Sequence, residues 1–318
     1  MRKILLLVNP VLHHTAPRRR DIARVLAVFR GHGALVELME TGENRAAGLK
    51  AKQAAAQGYD AVVVCGGDGT IFDALQGLAG SAAPLGIIPF GTGNVMAQNL
   101  KIPKDAAAAA QWILRSHPRS VALGRITCCA EGGRESYLFA MAAGMGMHAS
   151  LMSEARRSGK SRVGRAAYFA AGARLLWNHP VRPFNIEITT TSGSVIDAQV
   201  CEALAVRVAE LNRWRPGGGL HLPFLRLATV EGASRSRLAL ASFEGLFRAA
   251  GARDREPAAD AAAIYRDVER VVCRPISDRV YQPPIAVQAD GEVLGASCAI
   301  IEMAGLDVSL CAADSIPE

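Results

Sequence analysis

Residues 66–70, with the sequence Gly-Gly-Asp-Gly-Thr, could bind a phosphate group and assist its chemistry. They follow a short apolar segment, 61–65, which predicts a strand buried on both faces, and precede a predicted helix over 71–78. Glycines at the carboxyl end of a strand allow positive φ and let the backbone approach a ligand closely. The N–H groups of such a turn, with the N-terminus of the next helix, suit a phosphate.

Phosphate binding alone does not explain Asp68, the acidic member of this turn. A carboxylate beside phosphates is useful if it holds Mg²⁺, directly or through water, or if it polarises an attacking hydroxyl. The alternative is a tight turn in which Asp68 caps the helix that follows. The turn by itself leaves both interpretations open.

A second glycine-rich turn occupies residues 89–94, with the sequence Pro-Phe-Gly-Thr-Gly-Asn, after a short apolar strand predicted over 85–88. Turns that follow successive strands would lie side by side at one edge of the sheet and could line one crevice, where open α/β sheets bind ligands. Thr92 and Asn94 would offer short polar groups to a phosphate or a ribose. Taken alone, the second turn is only a weak indication of a phosphate site. At this spacing after the first turn, it becomes a strong one.

Over residues 1–125, short β-branched runs alternate with alanine-rich helical stretches, which predicts a parallel sheet with helices on both sides. The predicted strands are 3–8, 34–39, 61–65 and 85–88, and the predicted helices are 21–31, 43–57, 71–78 and 105–115. Thr41 stands before the second helix as a candidate N-cap.

Beyond about residue 125, alternating runs predict a mostly antiparallel second domain. Its predicted strands are 125–129, 137–142, 185–190, 195–208, 237–242, 268–274, 285–288 and 298–303, with a helix over 164–177 and a helix or loop insertion over 248–263. Near its end, Asp290-Gly291-Glu292 is typical of a hairpin turn, and the residues alone leave open whether Glu292 has a chemical role.

The formal net charge of +7 is too small to indicate nucleic-acid binding, but the charge is uneven. Residues 153–182 contain one acid, Glu154, and seven basic residues: Arg156, Arg157, Lys160, Arg162, Arg165, Arg174 and Arg182. Such a stretch suits phosphate groups or an anionic membrane surface, and the alternative is a solvated helix face. Scattered cysteines and the lack of a long apolar run predict a soluble, cytoplasmic protein with reduced thiols.

In this order, the two glycine-rich turns resemble the catalytic domain shared by diacylglycerol kinases, sphingosine kinases and the bacterial YegS-like lipid kinases. Asn9-Pro10 is similar to the family's opening Asn-Pro, and Thr41 stands where the family has a nucleotide-contacting threonine. Residues 288–292 resemble the late Asp-Gly-Glu of the bacterial members. The resemblance spans most of the chain and is weak from about 209 to 270.

The resemblance implies an NAD-kinase-like, three-layer α/β nucleotide-binding domain over residues 1–125 and a β-rich, sandwich-type lipid-substrate domain over 126–302. The segment of about 303–318 is a candidate to return to the first domain. It also implies transfer of the γ-phosphate of ATP to the hydroxyl of a diacylglycerol-like or sphingoid-base-like lipid, with Asp68 organising Mg²⁺ and Glu292 accepting the hydroxyl proton. The implied nucleotide contacts are Asn9, Thr41, Gly66, Gly67, Asp68, Gly69, Thr70, Ile71, Phe72, Gly91, Thr92, Gly93 and Asn94.

Several positions depart from the family's pattern. Val-Leu-His-His at 11–14 replaces the glycine-rich turn after Asn-Pro, and Phe72-Asp73 replaces an Asn-Glu pair. Val95 and Ala122 replace two carboxylates that support the Mg²⁺ network of bacterial diacylglycerol kinases, although sphingosine kinases also lack the first of these. The competing interpretations are a catalytically impaired member that binds nucleotide or lipid and, less in keeping with the second turn, a soluble NAD-kinase-like enzyme.

Overall fold

The computed structural model divides into two compact units, Met1–Leu123 with Ala304–Glu318, and Gly124–Met303. The residues that it describes are 3–10, 15–42, 46–130, 133–147, 149–150, 181–207, 210–211, 215–216, 220, 222–232, 236, 238, 263–274, 285–296 and 298–312. The expected boundary lay near residue 125, and the assignment of nucleotide to the first unit and lipid to the second stays a prediction.

The first unit is built on a parallel sheet. Its strands are β1 (Lys3–Val8), β2 (Leu35–Glu40), β3 (Ala61–Gly66), β4 (Leu85–Pro89) and the end of the last strand, β16 (Cys298–Ala312). Its helices are α1 (Ala16–Gly31), α2 (Ala46–Ala56), α3 (Asp68–Leu78), α4 (Val95–Asn99) and α5 (Ala106–Arg115). The strand order is β16-β4-β3-β1-β2, with Leu310 of β16 opposite Leu85. Strands β3 and β4 are buried throughout, which is why their sequences are short apolar runs.

The helices of this unit cover the two faces of the sheet. The chain passes from β1 through α1 to β2 on one side, and then returns through α2 to β3 on the other side of β1. Because such connections between parallel strands are right-handed, this reversal places α1 and α2 on opposite faces. Helix α3 packs against α2, and α5 packs against α1. The unit therefore has three layers, and the predicted mixed α/β fold class is confirmed.

Helices α2 and α3 approach closely because each contributes a glycine to the contact. A Cβ atom on Gly77 would lie 1.9 Å from the carbonyl oxygen of Gly48, so no side chain fits there. In addition, the buried carboxylate of Asp73 on α3 accepts a hydrogen bond from the N–H of Ala47, at 2.8 Å. Asp73 thus satisfies one of the amides that the start of α2 leaves without an intrahelical partner.

The second unit is mostly antiparallel, as expected. Its strands are β5 (His117–Ala130, entering from the first unit), β6 (Gly133–Phe139), β7 (Ala142–Gly146), β8 (Phe184–Thr190), β9 (Val195–Val206), β10 (Glu210–Leu211), β11 (Arg215–Pro216), β12 (Leu225–Glu231), β13 (Ile264–Arg274), β14 (Ala286–Ala289), β15 (Glu292–Ala296) and the start of β16. Strands β8 and β12 each pair with both β9 and β13, so these four strands form a closed circuit. Strands β7, β14 and β15 continue the sheet from β9.

One predicted strand of this unit is wrong. A single strand was expected over 137–142, whereas β6 ends at Phe139 and β7 begins at Ala142. The break falls at Ala140 and Met141, whose N–H groups donate to the side chain of Asp290. A long-range contact therefore interrupts an apolar run that looks continuous in the sequence.

Other expectations differ in extent or fall elsewhere. The strands β12 and β15 were not predicted, and β16 is longer than the expected 298–303. The predicted helix 164–177, the strand 237–242, the insertion 248–263 and the basic stretch 153–182 lie wholly or almost wholly outside the described residues. Within the described residues, no helix has the length and apolar character needed to cross a membrane.

Candidate functional site

The carboxyl ends of β1 and β3 form the point at which the connections of the parallel sheet diverge. The two strands are neighbours, but β1 leads towards β2 and β3 leads towards β4, on the opposite side. Such a reversal opens a crevice beyond the strand ends, where open α/β sheets bind ligands. Asn9 follows β1 at this edge, and its amide nitrogen lies 3.5 Å from the hydroxyl of Thr70, to which it donates. The first glycine-rich turn therefore sits at this point.

Close packing explains several glycines of the two turns. None of Gly66, Gly67, Gly69, Gly91 and Gly93 has positive φ, so the freedom that glycine offers for left-handed backbone is not used here. A Cβ on Gly91 would instead lie 2.6 Å from the Cα of Gly67, and one on Gly66 would lie 2.8 Å from the side chain of Thr70. The structure thus brings the two turns together, backbone against backbone.

Asn94 holds the second turn closed. Its side-chain oxygen accepts a hydrogen bond from the N–H of Gly91 at 2.9 Å, and its side-chain nitrogen donates to the Gly91 carbonyl at 2.6 Å. Its φ of 49° places it in the left-handed region, which asparagine tolerates better than most residues. Thr92, at the tip of the same turn, is exposed. Of the two polar residues expected to meet a ligand, Thr92 is the more exposed, and the side chain of Asn94 is bonded within its own turn.

The carboxylate of Asp68 lies between the two turns. Asp68 is the first residue of α3, and the N-cap residue of that helix, Gly67, has no side chain with which to cap it. The Oδ1 of Asp68 accepts a hydrogen bond from the N–H of Met96 at 3.4 Å. Burial raises the pKa of Asp68 above its ordinary value of 3.8, and hydrogen bonds from the N–H groups of Val95, Met96 and Asn94 oppose that rise. Asp68 therefore accepts a hydrogen bond from the start of α4 and also stands, as an acidic residue, in the first turn of α3.

The remaining predicted contacts of this unit differ in what they can offer. The side chains of Ile71 and Phe72 are almost completely buried, so only their backbone could reach a ligand. Thr41 is also buried, and its N–H donates to the carbonyl of Val8 at 2.8 Å. The helix for which Thr41 was the candidate N-cap begins, in the described residues, at Ala46.

These residues fit a phosphate-bearing ligand with Mg²⁺. The crevice is lined by turns in which glycine is required, so backbone N–H groups can come close to phosphate oxygens. Among the described residues there is no cluster of three or more histidine, cysteine or acidic side chains that could hold a metal. A single carboxylate such as Asp68 suits Mg²⁺, which is commonly bound by one or two carboxylates together with substrate phosphates and water.

The second unit places Glu292 on a tight hairpin. Asp290 and Gly291 form the two-residue turn between β14 and β15, with Ala289 paired opposite Glu292. Their φ values are 47° and 86°, and this left-handed pair is typical of a type I′ turn with Asp-Gly. Glu292 is the first residue of β15 and is partly exposed. The hairpin interpretation is therefore correct, and it also fixes the position of Glu292.

Asp290 has a structural role that its local sequence does not indicate. This buried carboxylate accepts three backbone hydrogen bonds, from the N–H groups of Ala140, Met141 and Ala142, at 2.8 to 2.9 Å. The N–H of Asp290 donates to the Ala142 carbonyl at 2.7 Å. Asp290 thus attaches the hairpin that carries Glu292 to the segment between β6 and β7.

The fold and these turns define a two-unit α/β protein with a crevice suited to phosphates at the divergence point of its parallel sheet. Comparison with known proteins agrees with the resemblance: residues 3–126 match the diacylglycerol kinase catalytic domain. Residues 3–126 are therefore similar to the catalytic domain of diacylglycerol kinases.

Individual relatives are similar over part of the chain. A diacylglycerol kinase from Mycobacterium tuberculosis is 32% identical over 210 residues, which are 63% of this chain and 63% of that kinase. One from Bacillus subtilis is 30% identical over 173 residues, or 54% of each chain. The crystal structure of a diacylglycerol kinase from Bacillus anthracis str. Sterne superposes with a TM-score of 0.68 at 17% identity, covering 99% of this chain and 98% of the other, which shows the shared fold.

Proposed function

We propose that the protein is an ATP-dependent lipid kinase, which transfers the γ-phosphate of ATP to the hydroxyl of a diacylglycerol-like or sphingoid-base-like lipid. The observation that carries this proposal is the pair of glycine turns in contact at Gly67 and Gly91, with the Asp68 carboxylate between them. The match of residues 3–126 to the diacylglycerol kinase catalytic domain supports lipid phosphorylation as the reaction.

In the proposed binding step, ATP lies against the two turns in the first unit. Backbone N–H groups of Gly67, Gly69 and Gly93, together with the exposed hydroxyl of Thr92, donate to phosphate oxygens. Gly66 is paired with β4 through its backbone and contributes by letting the turn pack closely. Bound Mg²⁺ would neutralise negative charge that develops on the phosphates. The Asp68 carboxylate would hold that ion while its Oδ1 keeps the hydrogen bond to Met96.

In the proposed transfer step, Glu292 accepts the proton of the lipid hydroxyl. The hydroxyl oxygen then bonds to the γ-phosphorus, the bond from that phosphorus to its bridging oxygen breaks, and ADP leaves. The tight hairpin supports this role, because a base must be held at a fixed position relative to the proton that it removes. Since the Asp290 side chain anchors the hairpin to three backbone amides, the backbone of Glu292 is well restrained.

A second candidate is a family member that binds nucleotide or lipid without efficient transfer. Its support is the absence of carboxylates at Val95, the first residue of α4, and at Ala122, in β5. The presence of both Asp68 and Glu292 favours the active kinase.

We further propose that the basic stretch 153–182 brings the protein to the anionic inner face of a membrane, where the lipid substrate lies. Its seven basic residues and one acid would be attracted to such a surface. Sedimentation with vesicles tests this idea. Binding that rises with the fraction of anionic lipid is expected, and binding that is independent of lipid charge would contradict it.

The transfer reaction is tested by phosphate transfer from Mg²⁺-ATP to a panel of lipid alcohols in mixed micelles. We expect the wild type to phosphorylate at least one lipid, and Asp68→Asn and Glu292→Gln to lose about 100-fold or more of the rate. The control is Glu269→Gln, the same substitution at an exposed position of β13, which should leave the rate unchanged.

The outcomes separate the two candidates. Transfer that depends on lipid, on Asp68 and on Glu292 establishes the kinase and identifies the acceptor. Tight ATP binding without transfer to any lipid would favour the non-catalytic member. Transfer to NAD in place of a lipid would overturn the lipid kinase proposal.

A further inference from the structure

Arg18, in the first turn of α1, brings a positive charge to the second glycine-rich turn. One of its N–H groups donates to the carbonyl of Phe90 at 3.3 Å, and its guanidinium carbon lies 4.5 Å from the centre of the Phe90 ring. Phe90 directly precedes Gly91, whose backbone packs on Gly67. A hydrogen bond and a cation–π contact therefore hold Arg18 where the two turns meet.

The guanidinium group keeps donors for a ligand. It has five N–H groups in one plane, and the Phe90 carbonyl accepts from one nitrogen, Nη2. Asp21, one turn further along α1, lies 3.6 Å from Nη1, which is longer than a good hydrogen bond. The side chain is 36% exposed. Arg18 thus donates one hydrogen bond, to the Phe90 carbonyl, and its side chain stays partly exposed beside Asp21.

The neighbouring arginines of α1 are arranged differently. Arg19 and Arg20 are exposed at the next two positions of the helix. Arg24 donates two hydrogen bonds to Asp105, the N-cap of α5, at 2.9 and 3.2 Å, and so serves the contact between α1 and α5. Arg18 is therefore distinguished by its position at the turn and not by its charge alone.

The negative charges expected at the crevice also favour a positively charged side chain there. A nucleoside triphosphate brings several negative charges, and the carboxylate of Asp68 adds another between the same two turns. Backbone N–H groups offer partial charges, whereas arginine offers a full charge and a planar fork that matches phosphate oxygens.

We propose that Arg18 binds the phosphate chain of the nucleoside triphosphate at the two glycine-rich turns. This inference rests on the proposed function, since it names a further contact for the same nucleotide. Arg18 is a binding residue: its guanidinium donates to phosphate oxygens while the Phe90 carbonyl and ring fix its direction.

Calorimetric titration of the full chain with Mg²⁺-ATP, ADP and AMP tests the proposal. Arg18→Gln should weaken binding of Mg²⁺-ATP about tenfold or more, since a hydrogen bond to a charged group is lost. Its effect should shrink as phosphates are removed, to less than about twofold for AMP. Arg18→Lys, which keeps the charge and a donor for Phe90, should be intermediate.

The matched control is Arg19→Gln, which makes the same change of charge at the next residue and should alter ATP binding by less than about twofold. Inorganic triphosphate should compete with ATP in the wild type and compete less well in Arg18→Gln. Equal effects of the Arg18 and Arg19 substitutions would overturn the proposal, because they would indicate only a general loss of charge. Equal weakening of ATP and AMP by Arg18→Gln would overturn it as well, since that result indicates damage to the turn.

Failure of this inference can be told apart from failure of the proposed function. If the wild type binds ATP and Arg18→Gln binds it equally well, the role of Arg18 is wrong while the kinase proposal stands. If the wild type itself binds no ATP, the kinase proposal fails, and the role of Arg18 fails with it.

Discussion

The same dipeptide, Asp-Gly, occurs in both candidate motifs, but the two motifs keep their shape in different ways. In the first unit, Asp68-Gly69 starts α3, and the turn keeps its shape because glycines at 67 and 91 leave no room for side chains. In the second unit, Asp290-Gly291 turns a hairpin, and the shape depends on a side chain, the carboxylate of Asp290. One site is sensitive to added atoms, and the other to a lost acceptor. The same two residue types therefore do not show by themselves whether the aspartate stabilises the fold, as Asp290 does, or is available to a ligand, as we propose for Asp68.

The largest effect should come from removing the acceptor in the hairpin. Asp290→Ala leaves three buried N–H groups without their partner, so we expect the free energy of unfolding to fall by about 4 kcal/mol. Glu292→Ala, two residues away, should lower it by about 1 kcal/mol or less. Urea denaturation measures both values. Similar losses for the two variants would break the comparison, because Asp290 would then be no more structural than Glu292.

An added methyl group in the first unit should have the next largest effect. Gly91→Ala would place a Cβ 2.6 Å from the Cα of Gly67, and overpacking of this kind lowers stability by about 2 kcal/mol. The control is Gly31→Ala, near the end of α1, where a Cβ meets nothing within 4 Å and should leave stability equal or higher. Thermal unfolding of both variants checks this. An unchanged Gly91→Ala protein would show that the turns have room to separate.

The smallest effect on stability, and a large one on activity, should come from Asp68→Asn. Burial raises the pKa of Asp68 in the folded protein, so the folded state holds the proton more tightly than the unfolded chain does. Ionisation of Asp68 therefore lowers stability as the pH rises from the ordinary pKa of 3.8 through the raised pKa, and the loss is complete above the raised pKa. Asparagine removes the charge and keeps an acceptor for Met96.

We expect Asp68→Asn to be as stable as the wild type or more stable at neutral pH, with the difference vanishing below the ordinary pKa. Unfolding midpoints across this range of pH measure it. If the variant is clearly less stable than the wild type at neutral pH, the carboxylate of Asp68 stabilises the fold as that of Asp290 does. The contrast between the two motifs would then be lost.

The parallel sheet was predictable from the sequence because its strands are short apolar runs separated by helical stretches. Strand β1 has the predicted bounds, 3–8, and β3 and β4 each extend one residue further than expected. Helix α1 begins at Ala16, five residues before its predicted start, because Pro17 fits the first turn of a helix and the polar run of arginines after it hides the periodicity. Local sequence identifies an element well and its ends poorly.

The candidate site was predictable to the extent that it follows the sheet. The two glycine turns come after adjacent parallel strands, so their contact follows from topology. The contacts of Asp290 and Arg18 do not follow from topology. Asp290 accepts from residues 148 to 150 positions away in the chain, and Arg18 donates to a residue 72 positions away. No local pattern distinguishes an aspartate that accepts three distant amides from one that simply favours a turn.

The path of β16 has a consequence for the order in which the protein can fold during synthesis. This strand begins in the second unit and ends in the first, where Leu310 pairs beside β4. A ribosome must therefore translate residues 124–303 before the strand that completes the first sheet emerges. Until then, the edge of β4 lacks its neighbour, and an open strand edge is a place where unfinished chains can associate wrongly.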